Sequence, residues 1–498
     1  MRLALGPLRT ARALHSPLSG TMTNERNIVI IGGGIIGCTT AYYLTRHPSF
    51  SPSSTKITVL EASRNGVAQG ASGKAGGLVA SWAFPRELVD ISFAEHVKLA
   101  EENGGAARWG WRYTNCGSWE GRGAADGEGI AKSGENGGRA STGLPDDLDW
   151  VGGDLTTAYS PIAGHKASAQ VHPYLFTSGM MDLAKEKGAE LIKGKAVNIN
   201  KDGGRVTGVT YQESDEAQTK TIPATHVVLA AGPWTPSLEP SVPISTTFGC
   251  SITIRPKPSV TISPYVLFTE IQLPESDSFG KARVVSPEIY TRPDNEVYAS
   301  GHGSVPLLPD NIDDVPVSDE DCNRIFSYVA SISQELREGT IERRQGCFRP
   351  VVSTGGGPII GEAGKIAKGL YIATGHTCWG ICNAPGTAKA LAELIFEGKI
   401  KCGRLDKLAP NETGKMAEQI RRLSRCWSVD VQVHEARTGV NRRLEHVLQS
   451  PYFPHNMKSL LEQTSHHAAI CAILLNDCSA NQYLAMNGSS GMAEVEVG

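Results

Sequence analysis

The stretch that most restricts this chain is residues 27–61, where NIVIIGGGIIG leads into a helical pattern and then ITVLE. Asn27 to Ile31 is an apolar, β-branched run, the composition of a strand buried on both faces. Gly32, Gly34 and Gly37 follow on G-x-G-x-x-G spacing, a helix is expected from Ile35 to about His47, and Pro48 stops it. A second buried strand, Ile57 to Leu60, ends in Glu61. Gly32 permits the tight turn, Gly34 lets backbone approach a pyrophosphate, and Gly37 lets the helix pack closely on the strand. The helix N-terminus offers free N–H groups and a partial positive charge to phosphates. Glu61, at the strand tip, is placed to accept both hydroxyls of an adenosine ribose. The wide gap from Gly32 to Glu61 is filled by the Ser/Pro-rich excursion HPSFSPSST at 47–55. A dinucleotide is the expected ligand; which one must be read elsewhere.

At 498 residues the chain suits two or three domains. A net charge of −3 gives no electrostatic case for nucleic acid or an anionic membrane. Eleven scattered cysteines, odd in number and without a C-x-x-C pair, suit reduced thiols in an intracellular protein. Cys378 and Cys382 lie near His376 without further ligands at zinc spacing, so no metal is expected. No run approaches the ~20 apolar residues of a membrane-spanning helix. Residues 1–24 carry Arg2, Arg9 and Arg12 with no acid before Glu25, the pattern of a mitochondrial presequence. The competing start, Met22, lies five residues ahead of the first strand, and a cytoplasmic location is the expectation.

The pattern along the chain predicts an α/β (α+β) fold: a split Rossmann-like domain with an inserted, mainly antiparallel β-sheet domain. The first domain would comprise 26–105, 166–240 and 349–409. The sheet domain would comprise 241–348, with 106–165 as a further segment of it or a loop. Residues 121–145, Gly-rich and polar, read as a disordered insertion, and 1–25 and 410–498 as terminal extensions. Helices are expected around Phe176–Lys187 and Asp319–Arg337, a strand near Leu191, and a hairpin turning at Asp202-Gly203.

Four segments choose the ligand: QGASGKAGGLVASW at 69–82, THVVLAAGPWTPSL at 225–238, CFRPVVSTGGGPIIGE at 347–362 and GLYIATGHTCWGICNAPGTAKALAELIFEG at 369–398. The first is a run of small residues with one cation, Lys74, suited to phosphates or a planar ring. The last is a strand, a Gly-His turn and a long helix whose dipole would aim into the crevice. Together with the glycine triplet and Glu61, they resemble the D-amino-acid oxidase-like FAD-dependent oxidoreductases, the group of glycine oxidase and sarcosine oxidase. The resemblance covers roughly residues 26–405, without the insertion or the tail.

That resemblance implies FAD as cofactor, a small amine or amino acid as substrate, and hydride transfer from the substrate α-carbon to flavin N5 with reoxidation by oxygen. It implies that Gly32, Gly34, Ile35, Ile36 and Gly37 hold the pyrophosphate and that Val197 supplies backbone contacts to adenine. Ser72, Gly73, Lys74, Gly76 and Gly77 would line the flavin side, flanked by Gly232 and Trp234. Gly375, His376, Trp379 and Gly380 would cover the isoalloxazine. Arg349, in an F-R-P context, would bind the substrate carboxylate, as a planar guanidinium does bidentately. His376 is a candidate pocket group. Cys347 resembles a covalent flavin-attachment cysteine, although its surroundings depart from that subgroup. Tyr290 and Tyr298 share one face by even spacing, as a pocket lid or as packing. Two other functions stay open: a dehydrogenase with another acceptor, and a flavin-binding regulatory or scaffold protein with little turnover.

Overall fold

The computed structural model describes residues 25–131, 139–164, 166–213, 218–276, 279–301 and 303–410. A six-stranded sheet is built around β1, Arg26–Ile31. Ile28 and Ile30 enter one core and Val29 and Ile31 another, the mark of a strand covered on both faces. β2, Thr55–Glu61, pairs in parallel on one flank, followed by Glu190–Lys193. On the other flank His226–Leu229 and then Leu370–Thr374 pair in parallel, and Ile359–Glu362 closes that edge antiparallel. The chain therefore leaves β1 to one side first and fills the other side later. In open sheets of this kind ligands bind outside the carboxyl ends of the strands at that reversal.

α1, Ile35–Arg46, joins β1 to β2 and packs between the helices Pro173–Lys185 and Gly380–Glu397, the second of which also carries the helix Arg86–Asn103. α1 and those last two helices meet in a partly buried cluster: Tyr43 Oη donates to Glu95 Oε2 at 2.7 Å and Lys389 Nζ to Glu95 Oε1 at 2.6 Å. An antiparallel meander, Lys195–Asp202, Arg205–Gln212 and Thr219–Pro223, adds Ile199, Val206 and Val209 to the core on the other face. Its first turn is Gly203-Gly204, with positive φ at both (53° and 73°), one residue beyond the expected Asp202-Gly203, because Asp202 still pairs with Arg205 at the strand end.

The second sheet has eight strands, dominated by the antiparallel pair Ile244–Arg255 and Thr340–Val352. Asn115–Arg122 joins it in parallel with Tyr265–Leu273. One face packs with the helix Asp319–Ala330 into a separate core containing Phe248, Ile252, Leu267, Ile289 and Phe348. The other face turns toward the first sheet.

Several expectations change. Residues 121–145 were expected to be disordered, yet Gly121 and Arg122 end a strand and Ala124, Ile130 and Leu144 are buried in the second core. At Gly121 the glycine reflects close packing, because a Cβ there would lie 2.3 Å from the Leu155 carbonyl oxygen. Residues 132–138 of that segment lie outside the described residues, as do 1–24 and 411–498. The expected helix at Asp319–Arg337 is two, Asp319–Ala330 and Gln334–Arg337, because Ser333 is extended and caps the second by accepting from Leu336 N at 3.2 Å. The strand Thr340–Val352 runs through the expected boundary at 348/349, so Arg349 belongs to the second sheet, opposite Thr247.

Candidate active site

The carboxyl ends of four adjacent parallel strands deliver Glu61 (β2), Gly32 (β1), Gly232 and Gly375 to one edge of the first sheet. Gly32 has φ of 111°, and a Cβ there would lie 2.4 Å from the Ala230 carbonyl oxygen. Gly37 tolerates still less, since its Cβ would lie 1.9 Å from the Gly32 oxygen, which is the close helix–strand approach its spacing implied. Gly34 faces Ser72, whose Oγ accepts from Ile35 N at 2.9 Å at the start of α1; Ile36 follows, half-buried. Gly33, which lies between the spaced glycines, is held on every side. Its N–H donates to Glu61 Oε2 at 2.6 Å and its oxygen accepts from Ala68 N at 3.0 Å. Glu61 also accepts from Ser63 N at 2.8 Å; burial raises its pKa, and the bonds from Ser63 and Gly33 oppose that rise.

A second set packs on this edge. The short helix Ala71–Lys74 brings Ser72 and Gly73 against it, with the Gly73 Cβ position 2.0 Å from the Ala68 oxygen. Gly76 lies against the Tyr290 ring, and Gly77 (φ 92°) against the Val171 oxygen. Lys74, a candidate for the flavin side, donates to the Gly346 oxygen at 3.1 Å, and burial lowers its pKa. The reason is local: Ala71–Lys74 packs on Thr340–Val352, so its cation is drawn to that strand's edge. Val197 is exposed just beyond the point where Gly194 N donates to the Glu61 backbone oxygen at 2.7 Å. Trp234 Nε1 donates to the Pro309 oxygen at 2.8 Å. Gly380 opens its helix beside α1, its Cβ position 4.0 Å from Ile35 Cγ2, so two positive helix ends converge there.

His376, the candidate pocket group, is engaged by a hydrogen bond within its own segment. It is buried, its Nε2 lies 2.9 Å from Thr387 Oγ1, and burial pushes its pKa down to about 3. The ring is a neutral tether between the Gly375–His376 turn and the following helix. The backbone of His376 bridges to Val351, which sets that turn beside Arg349's strand. Along this strand Phe348 enters the second core, so by alternation Gln345, Cys347 and Arg349 share the face toward the first sheet. Burial pushes the Cys347 thiol up, while Arg349 and Lys74 pull it back.

Sequence reasoning missed the wall between the two sheets. Trp379 meets Trp82 edge-on at 5.6 Å, and Trp82 meets Phe268 at 6.3 Å. Phe268 then meets Tyr290 at 6.4 Å, and Tyr290 meets Tyr298 at 5.5 Å. The two tyrosines are buried cross-strand partners, which is packing and not a lid. Trp82 closes the quoted small-residue segment, but Phe268 sits in an ordinary apolar strand with no local signal. Asp313 was missed too. It comes from the segment 303–317 and accepts from Ser63 Oγ at 2.5 Å and Arg64 N at 2.9 Å, just past Glu61.

The profile of the family described as FAD dependent oxidoreductase (DAO) matches residues 27–394. The chain belongs to that family. It is 32% identical to "Putative oxidoreductase TDA3" of Saccharomyces cerevisiae, over 80% of this chain and 97% of the relative. It is also 32% identical to "Putative oxidoreductase C1F5.03c" of Schizosaccharomyces pombe, over 78% and 99%. In fold it is similar to glycine oxidase from Bacillus cereus, with TM-score 0.56, 20% identity, 76% of this chain and 96% of that one. Iminodiacetate oxidase from Chelativorans is similar to the same degree, with TM-score 0.56, 19% identity, 77% and 98%. This DAO-family oxidoreductase carries the features its family's cofactor demands. A Cβ at Gly32 or Gly37 would run into backbone oxygen, an acid is oriented at the tip of β2, and two helix N-termini converge. No described helix is long and apolar enough to cross a membrane.

Proposed function

We propose that this oxidoreductase binds FAD along the edge just described and oxidises a small amine or amino acid. The six-stranded sheet with its helices is the FAD-binding domain, and the eight-stranded sheet is the substrate domain. Gly32, Gly34, Ile35, Ile36 and Gly37 hold the pyrophosphate, Glu61 the adenosine ribose and Val197 the adenine. Ser72, Gly73, Gly76, Gly77, Gly232, Trp234, Gly375, Trp379 and Gly380 surround the flavin, with His376 fixing its turn. Lys74 anchors the small-residue segment to the substrate domain. When bound, FAD supplies the acceptor for a hydride from the substrate α-carbon. The chain's contribution is orientation, charge and exclusion of water.

One observation carries the reading. Arg349 is half-buried on the substrate-domain face that turns toward the FAD edge, beside the Gly375–His376 turn. A guanidinium there grips a carboxylate and fixes which carbon faces the flavin. The fold neighbours support it, since glycine oxidase and iminodiacetate oxidase are named for amino-carboxylate substrates. Oxygen is taken as the final acceptor and the cytoplasm as the site of action, the latter supported by the scattered, odd cysteine complement. The test is anaerobic mixing with a panel of amino acids and secondary amines, where a cognate substrate bleaches the flavin band. Arg349→Ala then raises KM steeply for carboxylated substrates; an unchanged KM refutes the assignment of Arg349. Peroxide formed on turnover in air identifies oxygen as acceptor, and its absence with a working artificial acceptor refutes that part.

A further inference from the structure

On the face of the eight-stranded sheet that turns toward the FAD edge, the register aligns Gln345, Ser251, Ser300, Glu288 and Phe268 in one row across five neighbouring strands. All lie opposite the second core, whose members alternate with them, such as Phe348, Ile252, Ala299, Ile289 and Leu267. A row deep in an interface is ordinarily apolar, and this one is not. Gln345, Ser300, Glu288 and Phe268 are nonetheless only half-buried, so each keeps surface that its neighbours leave uncovered.

Two acceptors in the row keep unused capacity. Gln345 Oε1 is buried without a hydrogen-bond partner among the described residues. Glu288 accepts from Tyr290 Oη at 2.7 Å and forms no ion pair among the described residues. A buried acceptor without a donor costs free energy until a ligand supplies one. Phe268 adds an aromatic ring beside Glu288, with Trp82 behind it, a pairing of acid and π-face that favours a cation.

The row begins close to the residue assigned to the substrate carboxylate. Gln345 is four residues from Arg349 along one strand, ~13 Å between backbones, and Glu288 lies three strands from Gln345, ~14 Å. Arg349 and Glu288 are therefore ~19 Å apart between backbones, a distance that a guanidinium, a carboxylate and a basic amino acid lying between them together can span.

Building on the amine-oxidase reading above, we propose that this row is a second recognition site, and that the substrate is an amino acid with a cationic group remote from its carboxylate. Arg349 takes the carboxylate, Gln345 Oε1 accepts an N–H near the reacting carbon, and Glu288 with Phe268 takes the distal cation. The charge of Glu288 thereby discriminates against aliphatic amino acids of equal length, which leave it unpaired.

The test uses the FAD-loaded full chain and two isosteric carboxylates, 5-aminopentanoate and hexanoate, titrated by the perturbation each makes to the flavin absorption. The proposal expects 5-aminopentanoate to bind at least about tenfold more tightly. Glu288→Gln should abolish that preference and leave hexanoate within about twofold, whereas Tyr290→Phe, which keeps the acid, should retain it. Equal binding of the two ligands by the unsubstituted protein, or a preference that survives Glu288→Gln, overturns the proposal. The ratio for the unsubstituted protein decides the matter even where a variant fails to fold. Arg349→Ala should weaken both ligands together. If neither carboxylate perturbs the flavin, the Arg349 assignment falls as well; if both bind equally and Arg349→Ala weakens both, only the cation site falls.

Discussion

Replacing His376 by glutamine separates a structural tether from a pocket base. The side chain is buried, its Nε2 is bonded to Thr387 Oγ1, and burial holds its pKa at about 3 against 6.5 in the ordinary state. The folded state therefore refuses a proton that the unfolded chain accepts. With a depressed pKa, the group's stabilising contribution is complete above pH ~6.5 and is lost as the pH falls toward the folded value. The slope is at most ~1.4 kcal/mol per pH unit, so about 2 kcal/mol is lost between pH 6.5 and 4.5. His376→Gln keeps a donor for Thr387 and does not titrate. Urea unfolding of both proteins at steps from pH 8 to 4.5 should show their stability difference shifting in the variant's favour by that amount as the pH falls. A difference that stays flat with pH refutes the buried neutral ring. Activity is the second readout: a kcat/KM profile with a pKa near 6.5 that vanishes in the variant would make His376 an ionising pocket group and refute the tether.

Three further outcomes are expected. Gly37→Ala places a methyl 1.9 Å from a backbone oxygen, so α1 must move off β1; thermal melts of FAD-stripped protein should register a loss of about 1–3 kcal/mol, together with a lower flavin content on purification. Asp313→Ala strips the acceptor from Ser63 Oγ and Arg64 N, a loss of about 1–3 kcal/mol in urea unfolding at pH 7. Burial would raise the Asp313 pKa, but the bonds from Ser63 and Arg64 hold it below the usual range, so the difference from the unsubstituted protein should narrow as the pH falls through that range. Cys347 is held as a thiol by burial, so acid precipitation should release all flavin into the supernatant; flavin that stays with the pellet and is freed by Cys347→Ser would establish a covalent link.

Much of the dinucleotide edge was legible in the amino-acid string because its constraints are local. A β-branched run, a glycine where φ must be positive and a terminal acid are imposed within about 35 residues by backbone sterics. The hairpin between Asp202 and Arg205 was legible for the same reason, to within one residue. Arg349 was singled out through its F-R-P context, yet its membership of the second sheet was hidden, because strand continuity there depends on pairing with Ile244–Arg255, about 100 residues earlier. The reading of 121–145 failed because composition reports polarity and glycine content, while Ala124, Ile130 and Leu144 are single apolar residues that a distant core captures.

The sequence by itself determined the cradle, from Gly32 to Glu61, and with it the kind of ligand the chain holds. Only the tertiary structure decided what surrounds that ligand. It turned His376 into a neutral tether and drew Lys74 to Gly346. It also aligned Gln345 with Glu288 across strands that no local pattern relates. The difference is physical: steric rules act between neighbours along the chain, whereas burial, unpaired acceptors and charge acquire their meaning only from what packs against them.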